Sequence, residues 1–362
     1  MALGAPLLEV GDLSVSIRTY RGEVKPVRGV SFSVDRGEIF AIVGESGCGK
    51  STVAQTLMKL NPSPPVDIKG GYIIFKGKDI SHLPERDMRP YRGHAISMIF
   101  QDPMTSLNPT MKVGKQIAEA MKVHGTAKRS EIKPKVIELL KSVGIPSPEE
   151  RAQQYPFELS GGLRQRVMIA MALACDPDLL IADEPTTALD VTIQAQVLDL
   201  MKKIPQERNN AVILITHDLG VVAQMATNVA VMYAGEIMEQ ASCAELFKHP
   251  VHPYTRQLLA AKPSLHQNSD ERLVPIEGTP PDLRDDIAGC PFAPRCAWSQ
   301  PQCFEKHPEP VSVGEFHKVR CLHAAEMSER AVSQNATGIS EGESPSIPAA
   351  ATDSVKAGDG ND

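Results

Sequence analysis

The stretch GESGCGKST, residues 44–52, constrains the fold of this chain more than any other feature. It fits the pattern G-x-x-x-x-G-K-[S/T], follows the apolar run GEIFAIVG and opens the helical pattern GKSTVAQTLMKL. Glycines let backbone N–H groups turn toward an anion, and a helix N-terminus adds partial positive charge. We therefore expect a strand, a phosphate-binding loop and a helix in this order. The alternative is a Gly-rich connection that binds nothing.

Two side chains of this loop carry chemistry of their own. Lys50 is expected to reach the β- and γ-phosphates of a nucleotide, and Ser51 to hold Mg²⁺. Cys48 lies at the positive start of the predicted helix, which predicts a lowered thiol pKa and a reactive cysteine. The other predicted nucleotide-binding residues of the loop are Gly44, Glu45, Ser46, Gly47, Gly49 and Thr52.

The pattern around this loop indicates an α/β domain. From about residue 7 to 240, helical patterns alternate with apolar runs such as AISMIFQ, LLIADEP, AVILITH and NVAVMYAG, which favours a largely parallel sheet. A net charge of −6, with 23% charged residues of both signs, argues against a protein that coats nucleic acid. No signal peptide is visible, and the apolar runs are shorter than the roughly 20 residues that span a bilayer.

A pair of acids ends one of the predicted strands. Asp183 and Glu184 close the run LLIADE, at the end of the strand where open parallel sheets bind ligands. Asp183 is therefore expected to coordinate Mg²⁺, directly or through water, and Glu184 to orient the attacking water or accept its proton. On its own such a pair is more often a solvated loop edge. Together with the loop at 44–52 it indicates a nucleotide site.

A second Gly-rich helix start lies at LSGG, residues 159–162. Ser160, Gly161 and Gly162 precede the helical pattern LRQRVMIAMALA, so their N–H groups can form a second anion site, one that completes a neighbour's active site. The alternative for these residues is a simple helix cap.

These motifs together resemble the ATP-binding cassette (ABC) family over about residues 7–255. They come in the family's order: GESGCGKS, Gln101 in FQDP, LSGG, LLIADEP, TALD at 187–190 and His217 in ITHD. The resemblance implies an α/β P-loop NTPase with a RecA-like core in residues 1–255 and a helical subdomain at about 105–175. It also implies ATP and Mg²⁺ as cofactors.

The resemblance gives a role to each matched residue. Gln101 is implied to bind Mg²⁺, to sense the attacking water and to couple to a membrane subunit. Glu184 is implied as the catalytic carboxylate and His217 as the switch residue on the γ-phosphate. In this family two cassettes enclose two ATP molecules. Each ATP lies between the phosphate-binding loop (P-loop) of one cassette and the LSGG segment (the signature) of the other, and Asp190 is implied to lie in the contact between the cassettes. Directly after the two glycines of LSGG this chain has Leu163, where the family usually has glutamine.

Three segments resemble one subfamily, the ATPase subunits of dipeptide and oligopeptide permeases, with nickel importers as near relatives. They are QDPMTSLNP, HPYTRQLL at 252–259 and the cysteine pattern described next. The resemblance implies an ATP hydrolase that powers peptide uptake, as a peripheral subunit at the cytoplasmic face of the inner membrane. The implied partners are a second, related ABC ATPase in a heterodimer, two transmembrane permease subunits and an extracytoplasmic binding protein, with no nucleic acid. The alternatives are an importer of nickel or another small solute, and a soluble ABC ATPase of DNA repair or translation.

Four of the seven cysteines gather near the end of the chain, at Cys290, Cys296, Cys303 and Cys321. We expect residues 256–325 to form a small Cys/Pro-rich domain with little regular structure, and residues 326–362 a disordered tail. The gaps between the cysteines are wider than those of zinc sites, and four thiolates without close pairing suit an iron–sulfur cluster. Some peptide-permease ATPases carry a [4Fe–4S] cluster on a similar pattern. Zn²⁺ and unliganded thiols remain the alternatives.

Overall fold

The polypeptide forms two β-sheets with helices packed around them. The computed structural model describes residues 5–186, 191–261 and 276–337, without the side chains of 103–104, 206–208 and 332–337. The strands in these ranges are β1 (Leu8–Thr19), β2 (Gly22–Val34), β3 (Ile39–Val43), β4 (Val66–Phe75), β5 (Lys78–Asp79), β6 (Ile96–Ile99), β7 (Leu179–Asp183), β8 (Ala211–Ile215), β9 (Asn228–Tyr233), β10 (Glu236–Ser242), β11 (Val311–Gly314) and β12 (His317–Val319). The helices are α1 (Lys50–Leu57), α2 (Glu85–Met88), α3 (Pro103–Ser106), α4 (Val113–His124), α5 (Arg129–Ser142), α6 (Pro148–Arg151), α7 (Gly161–Leu173), α8 (Val191–Arg208), α9 (Leu219–Met225), α10 (Cys243–Lys248), α11 (Pro253–Ala260), α12 (Gln302–Glu305) and α13 (Ala324–Thr337).

The larger sheet has the strand order β11-β12-β10-β9-β3-β8-β7-β6. Its strands from β9 to β6 run parallel, as the alternation of strand and helix patterns predicts. Every residue of β3, β7 and β8 is buried, which is expected of apolar strands covered on both faces. Neighbouring residues of β8 belong to different cores: Ile213 shares one with Val53 of α1, and Leu214 shares the other with Val167 of α7.

The smaller sheet is antiparallel, with the order β2-β1-β4-β5. Val10 and Val15 of β1 are buried in the same core as α1 and the central strands. Phe32 of β2 stacks on Phe40 of β3, with 5.0 Å between the ring centroids. This contact joins the two sheets beside the strand that leads into the loop at 44–52.

A helical layer lies within the span predicted for the helical subdomain. Helices α4, α5 and α7 pack through apolar faces that include Ile117, Leu140 and Val167, each almost fully buried. Apolar residues at helical spacing explain this packing, because they place one stripe of each helix toward the others. In the parts of the chain that the structure describes, no helix is long and apolar enough to cross a membrane.

The C-terminal region is built into the main sheet. β12 pairs with β10, where Glu239 lies opposite Val319, and β11 pairs with β12. The expectation of a small Cys/Pro-rich domain with little regular structure did not include this pairing. The physical reason is that the outer edge of β10 has backbone groups that need partners, and residues 311–319 supply them.

The first part of the tail predicted over residues 326–362 is a helix. Residues 324–337 form α13, whose Met327 and Ala331 are buried. Met327 shares a core with Val251 and Val319, so the helix is anchored by apolar contacts that the low-complexity pattern did not reveal. Residues 338–362 lie outside the described residues.

Phe292 joins the C-terminal region to the cassette. Its ring is fully buried, with centroids 5.3 Å from both Tyr233 of β9 and Tyr254 of α11. Aromatic pairs at this spacing add stabilisation beyond the area that they bury.

We expect Phe292→Ala to lower the free energy of unfolding by about 3–5 kcal/mol, because it removes a buried ring and leaves a cavity. Phe304→Ala is the matched control, since the Phe304 side chain is half exposed and its loss should have little effect. Denaturant unfolding of both variants gives the comparison. Equal effects of the two substitutions would contradict the anchoring role of Phe292.

Candidate nucleotide site

Four neighbouring parallel strands end at one edge of the larger sheet, and each is followed by residues predicted to act on a nucleotide. The loop at 44–52 follows β3, His217 follows β8, Asp183 and Glu184 come at the end of β7, and Gln101 follows β6. The carboxyl ends of parallel strands share one edge, so these residues meet although they are far apart in sequence.

Two glycines of the loop occupy positions that no other residue could take without strain. Gly44 has φ +154°, and a Cβ there would lie 2.1 Å from the carbonyl oxygen of Met232. Gly49 has φ +107°, and a Cβ there would lie 1.9 Å from the carbonyl oxygen of Pro26. The loop therefore packs directly on the backbone of its neighbours, which fixes where α1 begins.

Lys50 is buried at the start of α1 and lies across the loop. Its ammonium donates hydrogen bonds to the carbonyl oxygens of Gly44 at 2.8 Å and Glu45 at 2.9 Å. Two carbonyl acceptors fix the position of the buried ammonium group at the phosphate-binding loop. This arrangement suits a cation that meets a phosphate group.

Ser51 and Asp183 meet at the end of β7. The Ser51 hydroxyl donates a hydrogen bond of 3.1 Å to Oδ1 of Asp183. Burial raises the pKa of the Asp183 carboxyl, and the nearby Glu184 carboxylate acts in the same direction. A buried carboxylate and a hydroxyl are hard oxygen ligands, so both fit a Mg²⁺ site.

Glu184 lies between two of the predicted catalytic residues. Nε2 of Gln101 donates a 3.0 Å hydrogen bond to Oε2 of Glu184, and Nδ1 of His217 lies 3.2 Å from Oε1. Glu184 also has φ +48°, a conformation rarely adopted by residues with a side chain, and such strain is common at functional sites. The structure thus brings Gln101, Glu184 and His217 together as one cluster.

The predicted signature residues form the start of α7. Ser160 is the N-cap, and its hydroxyl accepts a hydrogen bond from the N–H of Leu163 at 3.4 Å. Ser160 and Gly161 are exposed, so the helix start faces outward. The cap expected as the simple alternative is therefore present, and its exposure leaves the surface available to a second molecule. Asp190, predicted to lie in the subunit contact, is outside the described residues.

Leu163 and Gln165, near the start of α7, both make contacts within this chain. Leu163 packs against the helical core. Gln165 is buried, and its amide donates a 2.6 Å hydrogen bond to the carbonyl oxygen of Pro185, the residue after Glu184. Gln165 thus links the helix that begins at LSGG to the backbone next to Glu184, and it does not replace the glutamine that is absent at position 163.

The predicted lowering of the Cys48 thiol pKa is wrong. The thiol is buried, and burial raises its pKa, while the nearby Lys50 opposes this only in part. The prediction considered the positive helix start and left out the cost of charging a group that has no access to water. A neutral, enclosed thiol is a poor nucleophile.

The four C-terminal cysteines converge on one cavity. Burial raises the pKa of Cys290 and of Cys296 to about 12, and the neighbouring thiols act in the same direction. The cavity is lined by Cys290, Cys296, Cys303 and Cys321 together with His252, Phe292, Trp298 and Met327. Among the described residues, no three His, Cys, Asp or Glu side chains are arranged to hold a metal ion. This arrangement supports neither the predicted iron–sulfur cluster nor the zinc alternative.

Sequence reasoning missed two residues that contact the phosphate-binding loop. The hydroxyl of Tyr254 accepts a 2.9 Å hydrogen bond from the N–H of Glu45, and Arg295 forms an ion pair with the Glu45 carboxylate. Tyr254 belongs to the segment HPYTRQLL, and Arg295 directly precedes Cys296. Both segments are far from residue 45 in the sequence, and no local pattern indicates that they contact it.

Comparisons with known proteins show which family this chain is similar to. Residues 27–187 match the model of the family described as ABC transporter, and residues 238–303 match that of the oligopeptide/dipeptide transporter C-terminal region. The chain is 55% identical to the oligopeptide transport ATP-binding protein OppD of Bacillus subtilis, over 87% of this chain and 88% of that protein. It is 52% identical to the dipeptide transport ATP-binding protein DppD of the same organism, over 90% and 97%.

Solved structures of cassettes share the fold. The chain resembles cbiO1 from Clostridium perfringens, part of the ABC transporter complex cbiONQ, with a TM-score of 0.57 and 29% identity over 67% of this chain and 90% of that one. It also resembles the dimeric structure of the bacterial ABC transporter cassette MJ0796, with a TM-score of 0.59 and 25% identity over 65% and 98%.

We expect Asp183→Asn to stabilise the nucleotide-free protein and to abolish its further stabilisation by Mg²⁺ with ATP. A raised pKa means that the folded protein holds the charged carboxylate less well than the unfolded chain does, so Asp183 costs stability at neutral pH. The gain in melting temperature should shrink as the pH falls toward 3.8, the ordinary pKa of this group. Thermal melts from neutral to acid pH, with and without Mg²⁺ and ATP, measure both effects, and a lower melting temperature for the nucleotide-free variant at neutral pH would contradict this account.

Proposed function

Because the chain belongs to the ABC transporter ATPases, we propose that it is the ATP-hydrolysing subunit of an importer of oligopeptides or dipeptides. The observation that carries the ATPase mechanism is the cluster of Gln101, Glu184 and His217 beside the phosphate-binding loop. The relatives named for oligopeptide and dipeptide transport, and the match of residues 238–303, support the substrate class.

The loop residues bind and orient the triphosphate. Lys50 carries its charge at the loop, where a phosphate oxygen would replace the carbonyl groups that now accept its hydrogen bonds. Backbone N–H groups between Gly44 and Thr52 and the start of α1 provide the remaining positive potential. Ser51 and Asp183 would hold Mg²⁺, with Gln101 as a further ligand, and the ion neutralises charge on the phosphate oxygens when bound.

Glu184 is the residue that acts on the attacking water. Its carboxylate is fixed from one side by the Gln101 amide and from the other by the His217 ring, so it can orient a water or accept its proton. His217 would in turn contact the γ-phosphate, which links the position of Glu184 to the presence of nucleotide. These roles assign binding to Lys50 and water activation to Glu184.

A second cassette completes the site in this proposal. The exposed start of α7, with Ser160, Gly161 and Gly162, would donate N–H groups to ATP bound on the partner cassette, and Asp190 would lie in the contact. We propose a related but different ATPase as that partner. Two transmembrane permease subunits and an extracytoplasmic binding protein complete the importer, with this chain peripheral at the cytoplasmic face of the inner membrane.

We expect Glu184→Gln to keep ATP binding and to lower steady-state hydrolysis by about 100-fold or more, because the amide cannot accept the proton of the water. Glu119→Gln is the control, since Glu119 is exposed on α4 of the helical layer. Hydrolysis and ATP affinity are measured on the assembled transporter. Hydrolysis at the normal rate in Glu184→Gln would contradict the role of Glu184.

We further propose that Cys290, Cys296, Cys303 and Cys321 hold a [4Fe–4S] cluster. All four line one cavity, which supplies the four thiolates that such a cluster needs. A cluster is larger than one ion, whereas a Cys₄ zinc site requires all four sulfurs at about 2.3 Å from a single centre. Iron would also stabilise the thiolate forms, which burial otherwise disfavours. The cluster would cross-link the C-terminal region.

Protein purified without oxygen is expected to be brown and to contain about four iron and four sulfide per chain. Cys296→Ser should lose both, whereas Cys175→Ser should keep them, because Cys175 lies outside the cavity and contacts Thr126. Absorption spectra and metal analysis of the three proteins give the result. A colourless, iron-free wild-type protein would contradict the cluster.

A further inference from the structure

The phosphate-binding loop contains an acidic side chain that the proposed mechanism does not use. Glu45 is the second residue of the loop, and its carboxylate is held by Arg295 of the C-terminal region. One guanidinium nitrogen donates to Oε2 at 2.7 Å and the other to Oε1 at 3.0 Å. Two parallel hydrogen bonds of this kind fix both the position and the orientation of a carboxylate.

Arg295 is itself held rigidly. It donates to the hydroxyl of Tyr233 at 3.1 Å and to the carbonyl oxygens of Glu277 at 2.9 Å and Ile276 at 3.1 Å. Its side chain is 4% exposed, and its guanidinium lies 6.0 Å from the centroid of the Phe292 ring. A guanidinium with so many fixed partners loses little further freedom when it pairs with Glu45.

The position of Glu45 makes this pairing matter for nucleotide binding. A free carboxylate in a loop that binds phosphates would repel them, and the repulsion would be strong because the loop is partly shielded from water. The fork of Arg295 neutralises the carboxylate and turns it toward the C-terminal region. On the same residue, the N–H of Glu45 is held by the Tyr254 hydroxyl, so backbone and side chain are fixed together.

We propose that Arg295 is a positioning residue for ATP binding, which acts by neutralising Glu45 and holding it away from the phosphates. The inference rests on the ATP-binding function proposed above and adds to it a contribution of the C-terminal region to the nucleotide site. Arg295, which directly precedes Cys296, then contributes to the electrostatic potential at the ATP site.

The test is a set of four full-length proteins: the wild type, Arg295→Gln, Glu45→Gln and the double variant. The affinity for ATP with Mg²⁺ is measured by titration calorimetry. Arg295→Gln should bind ATP about tenfold or more weakly, because it leaves a charged, unpaired carboxylate beside the phosphates. The double variant should recover most of that loss, since the repelling charge is gone although the contact is still absent.

Three further measurements separate this role from simple support of the fold. The loss in Arg295→Gln should shrink at high salt, which screens the repulsion, and it should appear in the KM for ATP with little change in kcat. Arg295→Lys should keep more affinity than Arg295→Gln because it retains the charge. Arg284→Gln is the matched control, since Arg284 pairs with the exposed Asp282 in the same region and does not contact the loop.

Each outcome has one meaning. Recovery in the double variant supports the proposal. A double variant as weak as Arg295→Gln, or an Arg295→Gln protein with wild-type affinity, overturns it. If the wild-type protein does not bind ATP at all, the proposed ATPase function fails, which is a different result from failure of the Arg295 role.

Discussion

The site depends on one constraint, the parallel pairing of the four neighbouring strands β3, β8, β7 and β6. Hydrogen bonding between adjacent parallel strands places their carboxyl ends at one edge, and Asp183 is directly opposite Ile215 in this register. The phosphate-binding loop, the acids of β7, His217 and Gln101 are delivered to that edge by four neighbouring strands. Because the strands are buried on both faces, a shift of register would move core and site residues together.

The C-terminal region packs directly on the cassette and contacts the phosphate-binding loop. β12 extends the main sheet, Phe292 packs on Tyr233 and Tyr254, and Arg295 pairs with Glu45. Tyr254 and Arg295 both contact Glu45 of the loop, and these contacts are the basis of the proposed effect of Arg295 on ATP binding. The same Phe292 ring also lines the cavity of the four cysteines.

The sequence was sufficient to predict which residues lie at the carboxyl ends of the parallel strands, whereas their roles in binding and hydrolysis stay predictions. Lys50, Ser51, Asp183, Glu184 and His217 follow from strand ends and ordered motifs, since local pattern and sheet topology agree there. Contacts between distant segments were not predictable, because no local pattern encodes that Arg295 would meet Glu45. The Cys48 prediction failed for a related reason, since burial depends on what packs over the loop and outweighs the local effect of the helix start.

The central claim is that this chain hydrolyses ATP to drive peptide uptake. It is tested most directly by isolating the transporter from its source membrane through an affinity tag on this chain, and reconstituting it in lipid vesicles. ATP hydrolysis is then measured with the binding protein alone and with the binding protein loaded with dipeptides or longer peptides. The account predicts that peptide raises hydrolysis and that the tag also isolates two membrane subunits. Hydrolysis that is unchanged by every peptide, or a tag that isolates no membrane protein, would contradict it.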